Sequence, residues 1–239
     1  MHARRSLVIG LLALGLLVFV AGPALAQDAP SGGGAESMSA IQFIKYGGMI
    51  GHLLILCSVV ALGMSIERAI GLKRDNVVPP DVLAQLEQLF DEEEYEEAMT
   101  VCESQPTFLT NVVAAGLPKI GTGYDNIMDA VGEVADFEAT KIQQSISYIN
   151  FIAGVAPLMG LFGTVTGMIS AFNQISTSPT PPTPAQLAGG IQQALVTTCM
   201  GLMVSIPFSV VYFYYRNKVQ RMILEVQSIV GELMERFKE

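Results

Sequence analysis

Hydroxyl and amide side chains are the polar groups able to do chemistry in the longest apolar stretch of this sequence. Residues 142–215 contain no Asp, Glu, Lys, Arg or His, yet Thr164, Thr197, Thr198 and Gln193 lie among them. Hydroxyl and amide oxygens can coordinate a hard cation. Threonine hydroxyls in membrane helices also bond back to a carbonyl of their own helix, and spacing alone favours this role. The residues therefore leave two hypotheses open, an ion path or local hydrogen bonding.

Small residues recur beside these polar groups at steps of three and four, which place them on one face of a helix. The first stripe consists of Ala156, Gly160, Gly163, Gly167 and Ala171, and the second of Ala194, Thr198, Gly201 and Ser205. Small side chains let two helix backbones approach closely. Each stripe therefore predicts a face that packs against another helix.

Two prolines, Pro157 and Pro207, interrupt the same apolar segments. Because proline has no N–H, it leaves the carbonyls of Ala153 and Met203 without their helical donors. Inside a bilayer such a carbonyl needs another donor or a water molecule. We therefore expect both helices to contact a partner.

Enzyme motifs are absent from the sequence. It has no paired intramembrane Asp, His-Glu-x-x-His motif, Walker loop or Cys/His ligand set, so we expect no enzyme activity, cofactor or metal. The three cysteines, an odd number, predict reduced thiols rather than a disulfide framework. His52, within the first mature span, is expected to hydrogen-bond locally rather than relay protons, and Lys45 to reach the headgroups.

The elements that must position these residues are membrane helices. The chain is 51% hydrophobic and only 15% charged, with its apolar residues gathered in blocks. We predict an all-α membrane protein with three transmembrane helices extended into a cytoplasmic helical bundle. The predicted segments are a signal peptide (1–26), a flexible periplasmic leader (27–40), the first transmembrane helix (41–74), a cytoplasmic helical loop (75–141), the second and third transmembrane helices (142–215) with a periplasmic turn (176–186), and a cytoplasmic C-terminal helix (216–239). An uncleaved anchor helix is the alternative for the first segment.

Basic residues set the predicted orientation, because Lys and Arg collect at the cytoplasmic ends of spans. They flank the three spans at Arg68, Lys73, Arg74, Lys141, Arg216, Lys218 and Arg221. The net charge of −9 comes mainly from the loop between the first two spans, which makes nucleic acid an unsuitable partner.

Two apolar stripes lie outside the predicted membrane. Val82, Leu86, Leu89 and Phe90 recur at helical spacing in the loop, beside a solvated acidic face at residues 91–97. The second stripe, in the C-terminal helix, consists of Val219, Ile223, Val226, Val230, Leu233 and Phe237. It suits packing against copies of the chain, which we prefer, or against the chain's own loop helices.

Three sequence blocks resemble the MotA/TolQ/ExbB family, most closely its ExbB and TolQ branch. The longest is Ala-Pro-Leu-Met-Gly-Leu-Phe-Gly-Thr-Val-Thr-Gly-Met-Ile at 156–169. The second is Gly-Ile-Gln-Gln-Ala-Leu-Val-Thr-Thr at 190–198, followed by Gly201-Leu202 and Ile206-Pro207. A weaker match is Glu67-Arg68 after the first span.

The resemblance implies a homopentameric ring in the bacterial inner membrane around a dimer of an ExbD- or TolR-like partner. Thr164 and Thr198 match the family's pore-facing threonines, and Thr197 is an added hydroxyl. Gln193 stands where many relatives carry Glu, so the titrating group of the ion path must come from the partner. The ion can be a proton or sodium.

The function implied is that of a motor subunit that uses an ion gradient to energise a periplasm-spanning, TonB-like protein for outer-membrane transport. Tol-type envelope maintenance and surface gliding are alternatives. A flagellar stator is disfavoured because such relatives carry a fourth span. A non-conducting membrane scaffold is the hypothesis from a different class.

Overall fold

The structure, a computed structural model, describes residues 44–177 and 183–238. The predicted signal peptide and leader lie outside these ranges, as does the middle of the predicted periplasmic turn. The helices are α1 (Gly48–Gly71), α2 (Arg74–Val77), α3 (Pro80–Asp91), α4 (Tyr95–Ser104), α5 (Phe108–Gly116), α6 (Tyr124–Thr177) and α7 (Pro184–Met234), with 3-10 turns at Leu117–Lys119 and Glu235–Phe237. All regular secondary structure in the described ranges is helical.

Three of these helices are long and apolar enough to cross a membrane: α1, α6 and α7 from Leu187 onward. A span needs about 20 residues, whereas α6 has 54 and α7 has 51. Both helices therefore continue well past any membrane crossing. The predicted all-α class, with three candidate spans extended by further helix, is confirmed.

The chain divides into two compact units. In the described ranges, the membrane unit contains residues 44–65, 148–177 and 183–213, and the loop unit contains residues 66–147 and 214–238. Helices α1, α6 and α7 each contribute to both units. The candidate functional residues all lie in the membrane unit.

Glycine sets the first helix boundary and the beginning of α6. Helix α1 begins at Gly48, whose φ of +57° belongs to the left-handed region that glycine adopts at low cost. Residues 44–46 are also helical and Gly47 lies in a turn, so Gly48 follows a break in the helical path. Gly121 and Gly123, with φ of +89° and +100°, lie just before Tyr124, where α6 begins.

The loop unit has its own apolar core. The predicted face of α3, Val82, Leu86, Leu89 and Phe90, is at most 8% exposed. Five positions of the C-terminal stripe, Val219, Ile223, Val226, Val230 and Leu233, are at most 5% exposed within this single chain. Phe237 packs with its ring centroid 5.3 Å from that of Tyr95 and 6.3 Å from that of Phe90. The C-terminal stripe therefore packs inside its own chain, and our preference for copies of the chain was wrong.

Ion pairs join the last part of the chain to the start of the loop unit. The Arg74 guanidinium contacts Glu225 Oε1 at 2.6 Å, and this hydrogen-bonded carboxylate raises the pKa of Arg74. Arg236 contacts Asp91 at 2.5 Å. Exposed ion pairs add little stability, so these contacts mainly fix register while the apolar core holds the unit together.

The labelling rate of the Cys102 thiol tests whether this core is packed around it. In a chain carrying Cys57→Ser and Cys199→Ser, we expect maleimide to label Cys102 slowly, because this residue is only 3% exposed. Burial, with a smaller effect from Glu103, also raises the pKa of its thiol to about 11. Only the thiolate reacts. The labelling rate should therefore rise about tenfold per pH unit across roughly pH 7 to 9.

The matched control for this labelling has Cys102→Ser and Gln105→Cys, which places a thiol at an exposed position three residues away. Its rate should be higher and should level off near the ordinary cysteine pKa of about 8.5. Equal rates for the two chains at neutral pH would contradict the buried position of Cys102.

Candidate functional site: the packed apolar stretches of two long helices

Helix α6 presents a face of small residues inside the membrane unit. Ala153, Ala156, Gly160, Gly163, Gly167 and Ala171 are all buried. Large apolar residues occupy the remaining faces of the same stretch, where Leu158, Leu161, Phe162, Val165, Ile169 and Phe172 are 51 to 63% exposed. The segregation follows from the sequence, because small residues recur at helical steps and bulky ones fill the positions between them.

The glycines of α6 lie against the backbone of α7. A Cβ placed on Gly160 would lie 3.0 Å from both Thr197 O and Thr198 Cα. A Cβ on Gly201 of α7 would lie 2.6 Å from Ala156 O. Gly163 faces the side chain of Thr197. A Cβ placed on Gly163 would lie 2.5 Å from the Cβ of Thr197. A larger residue at Gly201 would require a backbone to shift, one at Gly163 would require the Thr197 side chain to shift, and one at Gly160 would make a tight backbone contact.

The same contact continues toward the loop that joins the two helices. A Cβ on Gly167 would lie 2.9 Å from Gly190 O and 3.1 Å from Ala194 Cβ. A Cβ on Gly190 would lie 2.8 Å from Ala171 Cβ. The pairing therefore runs in opposite directions along α6 and α7, and the two predicted stripes contact each other within one chain.

The threonine hydroxyls make hydrogen bonds along their own helices and across the contact. Thr197, 1% exposed, donates to Ala194 O at 2.8 Å on its own helix, and its Oγ1 also lies 3.5 Å from Gly160 O on α6. Thr198 Oγ1 lies 3.3 Å from Gly160 O across the contact and 3.5 Å from Ala194 O. Thr164, partly exposed, donates to Leu161 O at 2.6 Å, one turn back along α6.

The Ala153 carbonyl, which loses its helical donor because of Pro157, accepts a hydrogen bond from another helix. Ser205 Oγ on α7 donates to Ala153 O at 2.7 Å. Ser205 belongs to the second small-residue stripe, although the sequence did not mark it as this donor. Pro207 lies half-buried within α7.

Gln193 faces the first span. Its Nε2 lies 2.5 Å from the position of a Cβ on Gly48, the first residue of α1. Met200, two turns further along α7, lies against Gly47 and Gly51, with Sδ 2.8 Å and 3.2 Å from the corresponding Cβ positions. These contacts of Met200 with Gly47, just before α1, and with Gly51 in α1 were not among the predicted ones. The spacing of seven residues between Gln193 and Met200, which places them on one face of α7, was the available signal.

Charge is absent from the packed region, since residues 142–215 carry no ionisable Asp, Glu, Lys, Arg or His. His52 on α1 is exposed, and its Nδ1 lies 2.6 Å from Gly48 O, a local hydrogen bond. Within the described residues, no group of three or more His, Cys, Asp or Glu side chains is placed to hold a metal. The polar groups described at this contact are therefore hydroxyls and backbone carbonyls, and the Gln193 amide faces α1.

The fold and this contact define a class: an all-helical membrane protein whose two long spans pack through glycine and alanine. The model of the MotA/TolQ/ExbB proton channel family matches residues 104–228. The chain belongs to this family of ion-driven motor subunits, as its resemblance implied.

Individual relatives support the same assignment. A Synechocystis protein named biopolymer transport protein ExbB-like 1 is 28% identical over 81% of this chain and 76% of its own length. TolQ of the Tol-Pal system of Pseudomonas aeruginosa is 29% identical over 47% of this chain and 50% of its own length. The solved structure of C. jejuni MotAB shares the fold, with a TM-score of 0.58 and 14% identity over 96% of this chain and 89% of that one.

Gly163→Ala tests the closeness of the contact. The added methyl group would meet Thr197, and overpacking of this kind costs about 1–3 kcal/mol. We expect a lower unfolding midpoint for the detergent-purified chain, followed by circular dichroism at the helical band. Gly154→Ala is the matched control, because a Cβ at this exposed position of α6 meets nothing within 4 Å. Equal midpoints for the two variants would show that the glycine face of α6 is not in contact.

Gly48→Ala tests the start of α1. A left-handed conformation costs a residue with a Cβ about 1–2 kcal/mol, and Gly48 has a φ of +57°. We expect this substitution to lower the same unfolding midpoint, whereas Gly63→Ala, on an open face of α1, should leave it unchanged or raise it slightly. A Gly48→Ala chain as stable as the Gly63→Ala chain would contradict the break at Gly48.

Proposed function

We propose that this chain is the ring subunit of an ion-driven motor of the inner membrane that energises a periplasm-spanning partner, with TonB-dependent outer-membrane transport as the process served. Membership of the family supports the motor. The choice of TonB-dependent transport rests on the resemblance of the sequence blocks at 156–169 and 190–198 to the ExbB branch, with Tol-type envelope maintenance and surface gliding as the alternatives.

The single observation that carries the proposal is the packing of α6 against α7 within residues 142–215, a range without Asp, Glu, Lys, Arg or His. The packed stretches offer hydroxyl and carbonyl oxygens but no carboxylate, amine, guanidinium or imidazole. A proton relay requires a group that titrates. In our proposal an ExbD- or TolR-like dimer in the pore of a homopentamer supplies this group, as a carboxylate on its membrane helix.

Thr164 and Thr198 are the residues we place on the ion path. Both are partly exposed in the single chain, so each can face a pore. Thr197 and Gln193 are better suited to packing, because Thr197 is 1% exposed and Gln193 lies against α1. Gly160, Gly163, Gly167, Gly201, Pro157 and Pro207 then serve the helix contacts that hold the two threonines in place.

The orientation we propose places the loop unit in the cytoplasm. Arg68, Lys73 and Arg74 follow the apolar part of α1, and Arg216 and Lys218 follow that of α7. This enrichment of basic residues supports a cytoplasmic position for those ends. The N-terminus would then be periplasmic after signal cleavage, and lipid would cover the exposed apolar residues that face away from the ring.

Thr198→Ala tests the proposal. The chain is co-expressed with its ExbD- or TolR-like partner, the complex is placed in liposomes, and proton and sodium fluxes are measured separately under an imposed gradient. We expect flux from the wild-type complex and only background flux from the variant, because the variant lacks the hydroxyl on the path. Native mass spectrometry should show that the ring and its partner remain assembled.

Thr166→Ala is the matched control on α6, since it removes a hydroxyl that lies outside the pair of threonines placed on the path and donates to Phe162 O and Gly163 O at 3.1 Å. It should conduct normally. Normal flux through Thr198→Ala would remove this residue from the path. A wild-type complex that binds the partner yet carries neither ion would favour the scaffold hypothesis.

A further inference from the structure

One hydrogen bond between α6 and α7 replaces a hydrogen bond that the sequence removes. Ala153 is 2% exposed and lies four residues before Pro157, which has no N–H to offer. Ser205 Oγ reaches this carbonyl at 2.7 Å from the neighbouring helix. The carbonyl is thus satisfied only while α7 stays in its present register against α6.

The direction of the Ser205 hydroxyl is informative. Serine and threonine hydroxyls in membrane helices commonly bond to a carbonyl of their own helix. Thr164 and Thr166 do so in this protein. Ser205 instead donates across the contact, to the carbonyl that has lost its own donor.

A second hydroxyl of α7 also lies near a carbonyl of α6. Thr198 Oγ1 lies 3.3 Å from Gly160 O. On α7, Ser205 follows Thr198 by seven residues. On α6, Ala153 precedes Gly160 by seven residues. Seven residues are close to two helical turns, so the two contacts lie on one face of each helix, about 10 Å apart. A change of register at Ser205 would therefore move Thr198 as well.

We propose that Ser205 is a positioning residue: by supplying the hydrogen bond that Pro157 removes from Ala153, it sets the register of α7 against α6 and holds Thr198 at its place on the ion path. The role of Thr198 in this statement rests on the proposed function. The pairing of Ser205 with the carbonyl exposed by Pro157 does not.

A double-mutant cycle tests the pairing. In Pro157→Ala, residue 157 regains an N–H that can bond to Ala153 O within the helix. Ser205→Ala alone should lower the unfolding midpoint of the assembled complex and reduce its ion flux about tenfold or more, as small misplacements of positioned groups do. In the Pro157→Ala background the same substitution should change the flux by less than about twofold, because the carbonyl no longer needs Ser205.

Two further variants sharpen the cycle. Ser205→Thr keeps the hydroxyl and should restore both the flux and the unfolding midpoint. Gly154→Ala, on an open face of α6, should show no coupling to Ser205→Ala. Should the Ser205→Ala chain fail to assemble, recovery of assembly by adding Pro157→Ala supports the pairing, and no recovery overturns it.

The two readouts separate this inference from the proposed function. Coupling between positions 157 and 205 in the unfolding midpoint, in a complex that carries no ion, would leave the pairing intact and reject the motor. Equal effects of Ser205→Ala in both backgrounds, in stability and in flux, would overturn the pairing whatever the complex conducts.

Discussion

The rest of the membrane unit depends on the close contact between the backbones of α6 and α7. Gly160 and Gly201 lie where a single methyl group would come within about 3 Å of the opposite backbone. In a membrane, apolar burial does not draw helices together, because lipid is equally apolar, so close packing and interhelical hydrogen bonds must do so. The glycine and alanine faces meet this requirement.

Two further properties depend on that contact. It brings the Ser205 hydroxyl within 2.7 Å of the carbonyl that Pro157 leaves free, so a proline is tolerated in the middle of a span. It also leaves the bulky residues of both helices exposed on the outside of the single chain. The paired helices therefore have a closely packed contact of small residues and an apolar exterior.

The sequence alone predicted the helical class, the three spans, the small-residue faces and the need of the Ala153 carbonyl for a donor. These features follow from local composition and periodicity. It could not predict what each face would contact, since a stripe looks the same whether it meets its own chain or a copy. The stripe from Val219 to Leu233 illustrates this limit, because its spacing suited a helical oligomer, yet the chain's own loop unit buries it. The contact of Gln193 with Gly48 was likewise beyond prediction, as it depends on a left-handed residue far away in the sequence.

The most direct test of the central contact is a disulfide between Ala171→Cys and Gly190→Cys in a chain whose three native cysteines are replaced by serine. Ala171 Cβ lies 2.8 Å from the Cβ position of residue 190, so a small outward movement reaches the usual disulfide separation of about 3.8 Å. Mild oxidation in native membranes should give a nearly complete bond within each chain. Ala171→Cys with Leu195→Cys, whose second position is 66% exposed, should give none. Bonds between chains, or no bond for the first pair, would contradict the packing of α6 against α7 within one subunit.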